Sequence, residues 1–318
     1  YTGWYTLSLH DALPIFGTWS GIWSVNVQGG TFDLNGYSLG VTALNSTSSG
    51  VIDNTSDNAA SLYVTPSYYE CEGQWYTCSG SGWLYGPVRN TGGGPLSLQA
   101  CGWDWYNSSF IHLAGTNSYT GNTEAWYGGT IQVAGGSAIP DTSTVWLYSP
   151  DPYYYPQSTL DLYGNSETIG GIDGSGIIDS TGGACTLTIG ANNGDSTFAG
   201  TIQDSNGVLS IAKTGSGTLT LSGSNTYSGD TTVGAGTLKL GASGVLPDGS
   251  GYGNVTVNGI LDLNGCSETI NGLSGSGTVD NTSGTGTYTL TVGGNNASSA
   301  FNGTIQNTSG TLALTKTG

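Results

Sequence analysis

Apolar and polar residues take turns along this chain. In Thr218-Leu219-Thr220-Leu221, Thr237-Leu238-Lys239-Leu240, Val255-Thr256-Val257 and Tyr288-Thr289-Leu290-Thr291-Val292 the period is two. That period sends successive side chains to opposite faces of an extended strand, one face for a core and one for solvent. Gly, Asn, Ser and Asp bound each short run, as tight turns between strands require. No stretch carries an apolar stripe of period 3.6, so the pattern predicts strands and almost no helix.

The strands recur at long range. Leu160-Asp161-Leu162 returns as Leu261-Asp262-Leu263, and Ser166-Glu167-Thr168-Ile169 as Ser267-Glu268-Thr269-Ile270, each 101 residues on. Phe198 to Gln203 returns as Phe301 to Gln306, 103 residues on. Units that repeat in this way bury their apolar faces only against neighbours, which is the signature of a solenoid. The expected organisation is a partial preceding repeat over 1–31, a first unit over 32–157, a second over 158–258 and a third over 259–318. Leu219/Leu221 and Leu261/Leu263 lie 42 residues apart, which reads as two rungs of roughly 20 residues each. At ~4.8 Å per rung, about 15 rungs would make a solenoid about 70 Å long. Leu160, Leu162, Leu219, Leu221, Leu238, Leu240, Leu261 and Leu263 are expected to point inward.

The units are unequal. All nine Trp lie between Trp4 and Trp146, and residues 65–112 form an insertion rich in Cys, Trp and Tyr. Insertions in a solenoid emerge as loops on one face, often the binding face. The alternation lapses over Ser8–Ile15, which reads like a translated sequencing adaptor, and no role is assigned to His10 or Asp11.

Composition narrows the function. Four Lys and Arg against 21 Asp and Glu leave a net charge of −17. Nucleic acid is excluded as a natural partner, because phosphate neutralisation needs clustered cations. Anionic membrane surfaces are disfavoured for the same reason, and no apolar run has the length of a membrane-spanning helix. With 56 Gly in 318 residues, disorder would be the default reading, but the alternating apolar positions argue for a packed core.

The five cysteines are Cys71, Cys78, Cys101, Cys185 and Cys266. Cys71 and Cys78 share a short Gly-containing loop and are the expected disulfide pair if the protein is extracellular. The Cys spacing does not suit a metal, and no cofactor is expected.

Candidate chemistry is sparse. Gly36-Tyr37-Ser38-Leu39-Gly40 fits the G-x-S-x-G pattern of a hydrolase nucleophile, but the equivalent segments at Ser166 and Ser267 lack the motif and no helix follows. Ser38 reads as a turn serine. Asp161/Glu167 and Asp262/Glu268 recur with the repeat, unlike an active site, and are expected on the solvated surface. Arg89 is the one Arg, too little cation for a lyase site. Trp75, Tyr76, Trp83, Tyr85, Trp103, Trp105, Tyr106, Trp126 and Tyr127 suit two roles: packing long loops onto the solenoid, which is the plainer one, or stacking against sugar rings.

Gly215–Gly241 carries the run G-x-G-x-L-x-L-S-G-x-N-T-Y-S-G-x-T-x-V-x-x-G-T-L in full, with a degenerate copy from about Gly115 to Val133. This run resembles the autotransporter-associated β-strand repeat, also called the passenger-associated transport repeat. The resemblance implies a right-handed parallel β-helix in a secreted or surface-exposed passenger serving adhesion, aggregation or biofilm formation.

Together these readings predict an all-β, right-handed parallel β-helix with loop insertions in its N-terminal half. Its expected role is non-enzymatic, extracellular and structural or adhesive. The first alternative is a carbohydrate-binding adhesin contacting surface glycans through the aromatic insertion. The second is a polysaccharide-degrading enzyme with its catalytic loops in residues 65–157. Each end is expected to meet more β-solenoid, from a longer chain or from a second copy stacked head to tail into a fibre.

Overall fold

The computed structural model describes residues 24–65, 80–102, 108–149 and 156–318, and the backbone alone of strands Thr6–Leu9, Leu13–Pro14, Ser67–Cys71 and Gln74–Cys78. Every regular element among these residues is a β-strand. The chain forms two compact units, Tyr1–Asp161 and Leu162–Gly318.

In the unit Leu162–Gly318, strands Ser196–Phe198, Thr218–Leu221, Thr237–Leu240, Ile260–Asp262 and Thr278–Asp280 stack in parallel in one sheet. Leu219 pairs with Leu238, Leu238 with Leu261 and Leu261 with Val279, so these rungs are 19, 23 and 18 residues long. Strands Cys185–Ile189, Leu209–Lys213, Thr231–Val233 and Val255–Val257 stack likewise in a second sheet. Successive strands along the chain therefore alternate between sheets, and each pairs with its counterpart one turn away. That is a β-solenoid.

The unit Tyr1–Asp161 is built the same way. One parallel sheet runs through Ser24–Val27, Ala43–Ser46, Gly80–Leu84, Ser109–Leu113 and Thr130–Val133. Another runs through Leu39–Val41, Ala60–Val64, Leu96–Cys101, Thr123–Trp126 and Thr144–Tyr148. Within the expected insertion over 65–112, Gly80–Leu84, Leu96–Cys101 and Ser109–Leu113 pair in these sheets, and the stretch between Ala60–Val64 and Gly80–Leu84 forms an antiparallel hairpin, Ser67–Cys71 against Gln74–Cys78.

The period-two pattern sets the core. All eight leucines expected to point inward are at most 1% exposed. Each apolar side chain removed from water contributes ~2 kcal/mol, and the ladder repeats it rung after rung. Corners repeat too. Asn35-Gly36, Tyr163-Gly164 and Asn264-Gly265 all have positive φ, and each turn is closed by a backbone hydrogen bond three residues back, for example Tyr37 N–H to Leu34 C=O at 2.9 Å. Two left-handed residues in succession define a type I′ turn, which explains the Asn and Gly at these places.

The repeating carboxylates are not on the solvated surface. Asp161, Glu167, Asp262 and Glu268 are all buried. The reason lies in the corners, whose backbone N–H groups have no strand partner and need an acceptor. Asp262 Oδ1 accepts the N–H of Asn264 in its own turn and of Thr282 one rung on, while Oδ2 accepts the Thr282 hydroxyl at 2.7 Å. Asp33 does the same for Asn35 and Thr55. Glu268 accepts three backbone N–H groups, from Gly244, Val245 and Leu246. Lys213, also buried, donates its ammonium to the carbonyls of Thr214, Gly215 and Ala235.

Candidate functional site

The described aromatic side chains of the candidate set divide between two outward faces of the unit Tyr1–Asp161. On the first, register places Asn26 beside Asn45, Asn45 beside Trp83, Trp83 beside His112 and His112 beside Gln132. These are the outward positions of strands whose alternate residues are core, so the column follows from the same period-two rule. Asn45 Nδ2 donates to Asn26 Oδ1 at 2.9 Å, and His112 Nδ1 lies 3.0 Å from Gln132 Oε1. The His112 ring sits 4.9 Å from Trp83 and 5.7 Å from Tyr85, centroid to centroid. Trp83 and Tyr85 are nonetheless 43% and 49% exposed, so the stack is open to solvent on one side. An open cavity of about 250 Å³ is lined by Asn26, Asn45, Trp83 and Tyr85, among others.

The second face is a groove of about 640 Å³ whose walls include Tyr63, Gln99, Cys101, Trp126 and Tyr127. Here Trp126 pairs in register with Tyr148, their rings 4.6 Å apart, and Tyr127 meets Tyr148 edge-on at 5.5 Å. Glu124 organises the floor: it accepts the Trp126 indole N–H at 2.9 Å, the Gln99 amide at 2.8 Å and the Asn122 amide at 3.2 Å. Burial, and then the nearby Glu124 charge, pushes the Cys101 thiol up to about 11, so it is no nucleophile near neutrality.

Of the sequence candidates, Trp103, Trp105 and Tyr106 lie outside the described residues, as do the side chains of Trp75 and Tyr76. The structure adds Asn26, Asn45, His112, Tyr63 and Tyr148, which the sequence reading passed over. The 19-residue step from Asn26 to Asn45 matches one rung and was a usable signal.

The expected Cys71–Cys78 bridge does not fit the hairpin. Cys71 lies opposite Gln74, whereas Cys78 lies opposite Ser67, four positions further along. Four residues of extended strand span about 13 Å, beyond the ~7 Å between Cα atoms that a disulfide tolerates. Cys101, Cys185 and Cys266 are not in disulfides.

The catalytic-looking serine has a structural task. Ser38 Oγ accepts the Ser61 N–H at 3.0 Å, and its equivalents Ser166 and Ser267 accept the N–H of Thr186 and Thr289 at the same distance. Arg89 donates to Asp53 Oδ2 at 2.9 Å. Among the described residues, no group of three or more His, Cys, Asp or Glu side chains is placed to hold a metal ion, and no helix is long and apolar enough to cross a membrane.

The passenger-associated transport repeat family model matches residues 112–133 and 211–240. The chain thus carries passenger-associated transport repeats. It is 36% identical over 198 residues to the Adhesin BmaC autotransporter of Brucella suis biovar 1 (strain 1330). That alignment covers 58% of this chain and 5% of the relative's length. No solved structure matches the chain.

Proposed function

We propose that the chain is a non-enzymatic adhesive segment of a passenger-type β-solenoid, in which the repeat is the scaffold and the outward aromatic faces of residues 1–161 make the contacts. The protein is extracellular or on the cell surface. One observation carries the adhesive assignment to those faces: the recurring polar groups that looked catalytic, Asp262, Glu268 and Ser38, hold backbone N–H groups. Among the described residues of the unit Tyr1–Asp161, the large apolar side chains left exposed are all aromatic: Tyr37, Trp83, Tyr85, Trp146 and Tyr148. Exposed aromatic patches mark interaction surfaces, whereas catalysis needs a convergent acid, base or nucleophile.

The test is adhesion by the full chain. Beads coated with it should bind epithelial cell layers well above beads coated with an unrelated acidic protein of similar charge, and Trp83→Ala combined with Trp126→Ala should reduce the difference several-fold. Equal binding by the two kinds of bead, or turnover of a polysaccharide by the purified chain, would overturn the reading.

A further inference from the structure

We infer that the column Asn26–Asn45–Trp83–His112, with Tyr85 beside it, is a binding site for a neutral glycan chain lying along the solenoid axis. This deepens the adhesive reading above and rests on it.

Four observations converge. First, the column combines an open aromatic surface with side-chain amides. The Trp83 and Tyr85 rings are half-exposed, and the faces of such rings suit the apolar C–H face of a pyranose. Side-chain amides present a donor and an acceptor together, which matches a pair of neighbouring sugar hydroxyls. Second, these groups have capacity to spare. The Asn26–Asn45 contact uses one acceptor of Asn26 and one donor of Asn45, and among the described residues the Trp83 indole N–H and Tyr85 hydroxyl have no hydrogen-bond partner.

Third, the spacing is regular. Register sets Asn26, Asn45, Trp83, His112 and Gln132 one rung apart, so the column offers a contact every ~4.8 Å over roughly 19 Å. That step is close to one sugar residue of an extended chain. Fourth, the surroundings select against other ligands. Gln132 Nε2 donates to Asp161 Oδ2 at 2.8 Å, placing a carboxylate at the end of the column. Arg89, the one Arg, belongs to a different sheet and is paired with Asp53. With no Lys or Arg among the column residues and a net charge of −17, an anionic glycan would be repelled. An extended peptide adding a strand is also ill-suited, because Gly80–Leu84 is already paired on both edges.

The experiment titrates the full chain with cellotetraose, mannotetraose and chitotetraose as neutral probes and a heparin-derived tetrasaccharide as the anionic one, following heat and tryptophan fluorescence. At least one neutral tetrasaccharide should bind, with Trp83→Ala and Asn45→Ala each weakening it tenfold or more. Trp83→Phe should fall between, and Val208→Ala, at an exposed position of the unit Leu162–Gly318, should stay within twofold of wild type. Far-UV circular dichroism of each variant should match wild type, which it should at so exposed a position. Binding by none of the neutral probes, equal affinity in Trp83→Ala, or tighter binding of the heparin fragment would each overturn the inference. Bead adhesion run in parallel separates the two readings. Adhesion that is lost on protease but not glycosidase treatment of the cells overturns the glycan site alone; absent adhesion overturns the adhesive reading.

Discussion

Asn117 and Asn225 occupy the same place in the two copies of the repeat, and each ties three successive rungs together through one side chain. Asn225 Oδ1 accepts the Ile202 N–H at 2.8 Å from the rung before, and its Nδ2 donates to the Val245 carbonyl at 2.9 Å in the rung after. Asn117 does the same with Val88 at 2.7 Å and Ala138 at 2.6 Å. Two residues on, Tyr227 and Tyr119 are fully buried and hydrogen-bond Thr231 and Thr123, each at 2.7 Å. The N-T-Y of the repeat is therefore a clamp across the stack.

Asn225→Ala should be costly. It leaves a buried N–H on Ile202 and a buried carbonyl on Val245 without partners, together about 3 kcal/mol. Asn225→Asp keeps the acceptor but loses the donor, and should cost less at low pH than at neutral pH, where it also buries a charge. Urea denaturation of the full chain measures both. A change below ~1 kcal/mol for the alanine variant would show that neither hydrogen bond matters.

Gly164→Ala should fail for a different reason. Gly164 has φ +76°, and a Cβ there would lie 2.2 Å from the backbone nitrogen of Gly183. Strain and overlap together should cost at least ~2 kcal/mol. Gly183→Ala is the control, because its added Cβ meets nothing within 4 Å, and it should be near neutral. Equal destabilisation by the two would contradict the turn geometry.

The strands, the repeat and the inward leucines were legible because period two and a fixed corner chemistry leave little choice of register. The carboxylates were misread because charge is ordinarily a surface signal. In Asp262 and Glu268 the demand comes instead from unpaired turn N–H groups, which sequence alignment of the copies does not display. The glycan column was hidden for a geometric reason. Asn26 to Asn45 is 19 residues, but Asn45 to Trp83 is 38 and Trp83 to His112 is 29, because the hairpin and other loops lengthen those turns. Only the paired strands reveal that these four residues are neighbours.

The hairpin register gives a direct chemical expectation. Peptide mapping of the full chain purified under oxidising, non-reducing conditions should find no Cys71–Cys78 linkage, since Cys71 faces Gln74 and Cys78 faces Ser67. A stoichiometric bridge between them would require the hairpin to pair in another register.

Glu268 and Asp280 should respond to pH in opposite directions. Burial pushes the Glu268 carboxyl up from 4.5 to about 7, against the pull of the Val245, Leu246 and Gly244 N–H groups and with help from the Asp248 charge. Between those values the native state holds a proton that the unfolded chain has released. Its contribution is therefore present below pH 4.5 and lost as pH rises through about 7, by up to about 3 kcal/mol. For Asp280, burial also acts upward but is outweighed by hydrogen bonds from Gln306, Thr308 and Asn281, leaving the group below 3.8. Its contribution is present above pH 3.8 and lost as the solution becomes more acid. Urea denaturation from pH 3 to pH 8 separates the two. The stability difference between wild type and Glu268→Gln should fall across pH 4.5–7, on top of a constant offset from the amide facing three donors. The difference between wild type and Asp280→Asn should instead shrink only toward pH 3. A wild-type advantage over Glu268→Gln that grows with pH would mean that the three N–H donors, and not burial, govern this corner.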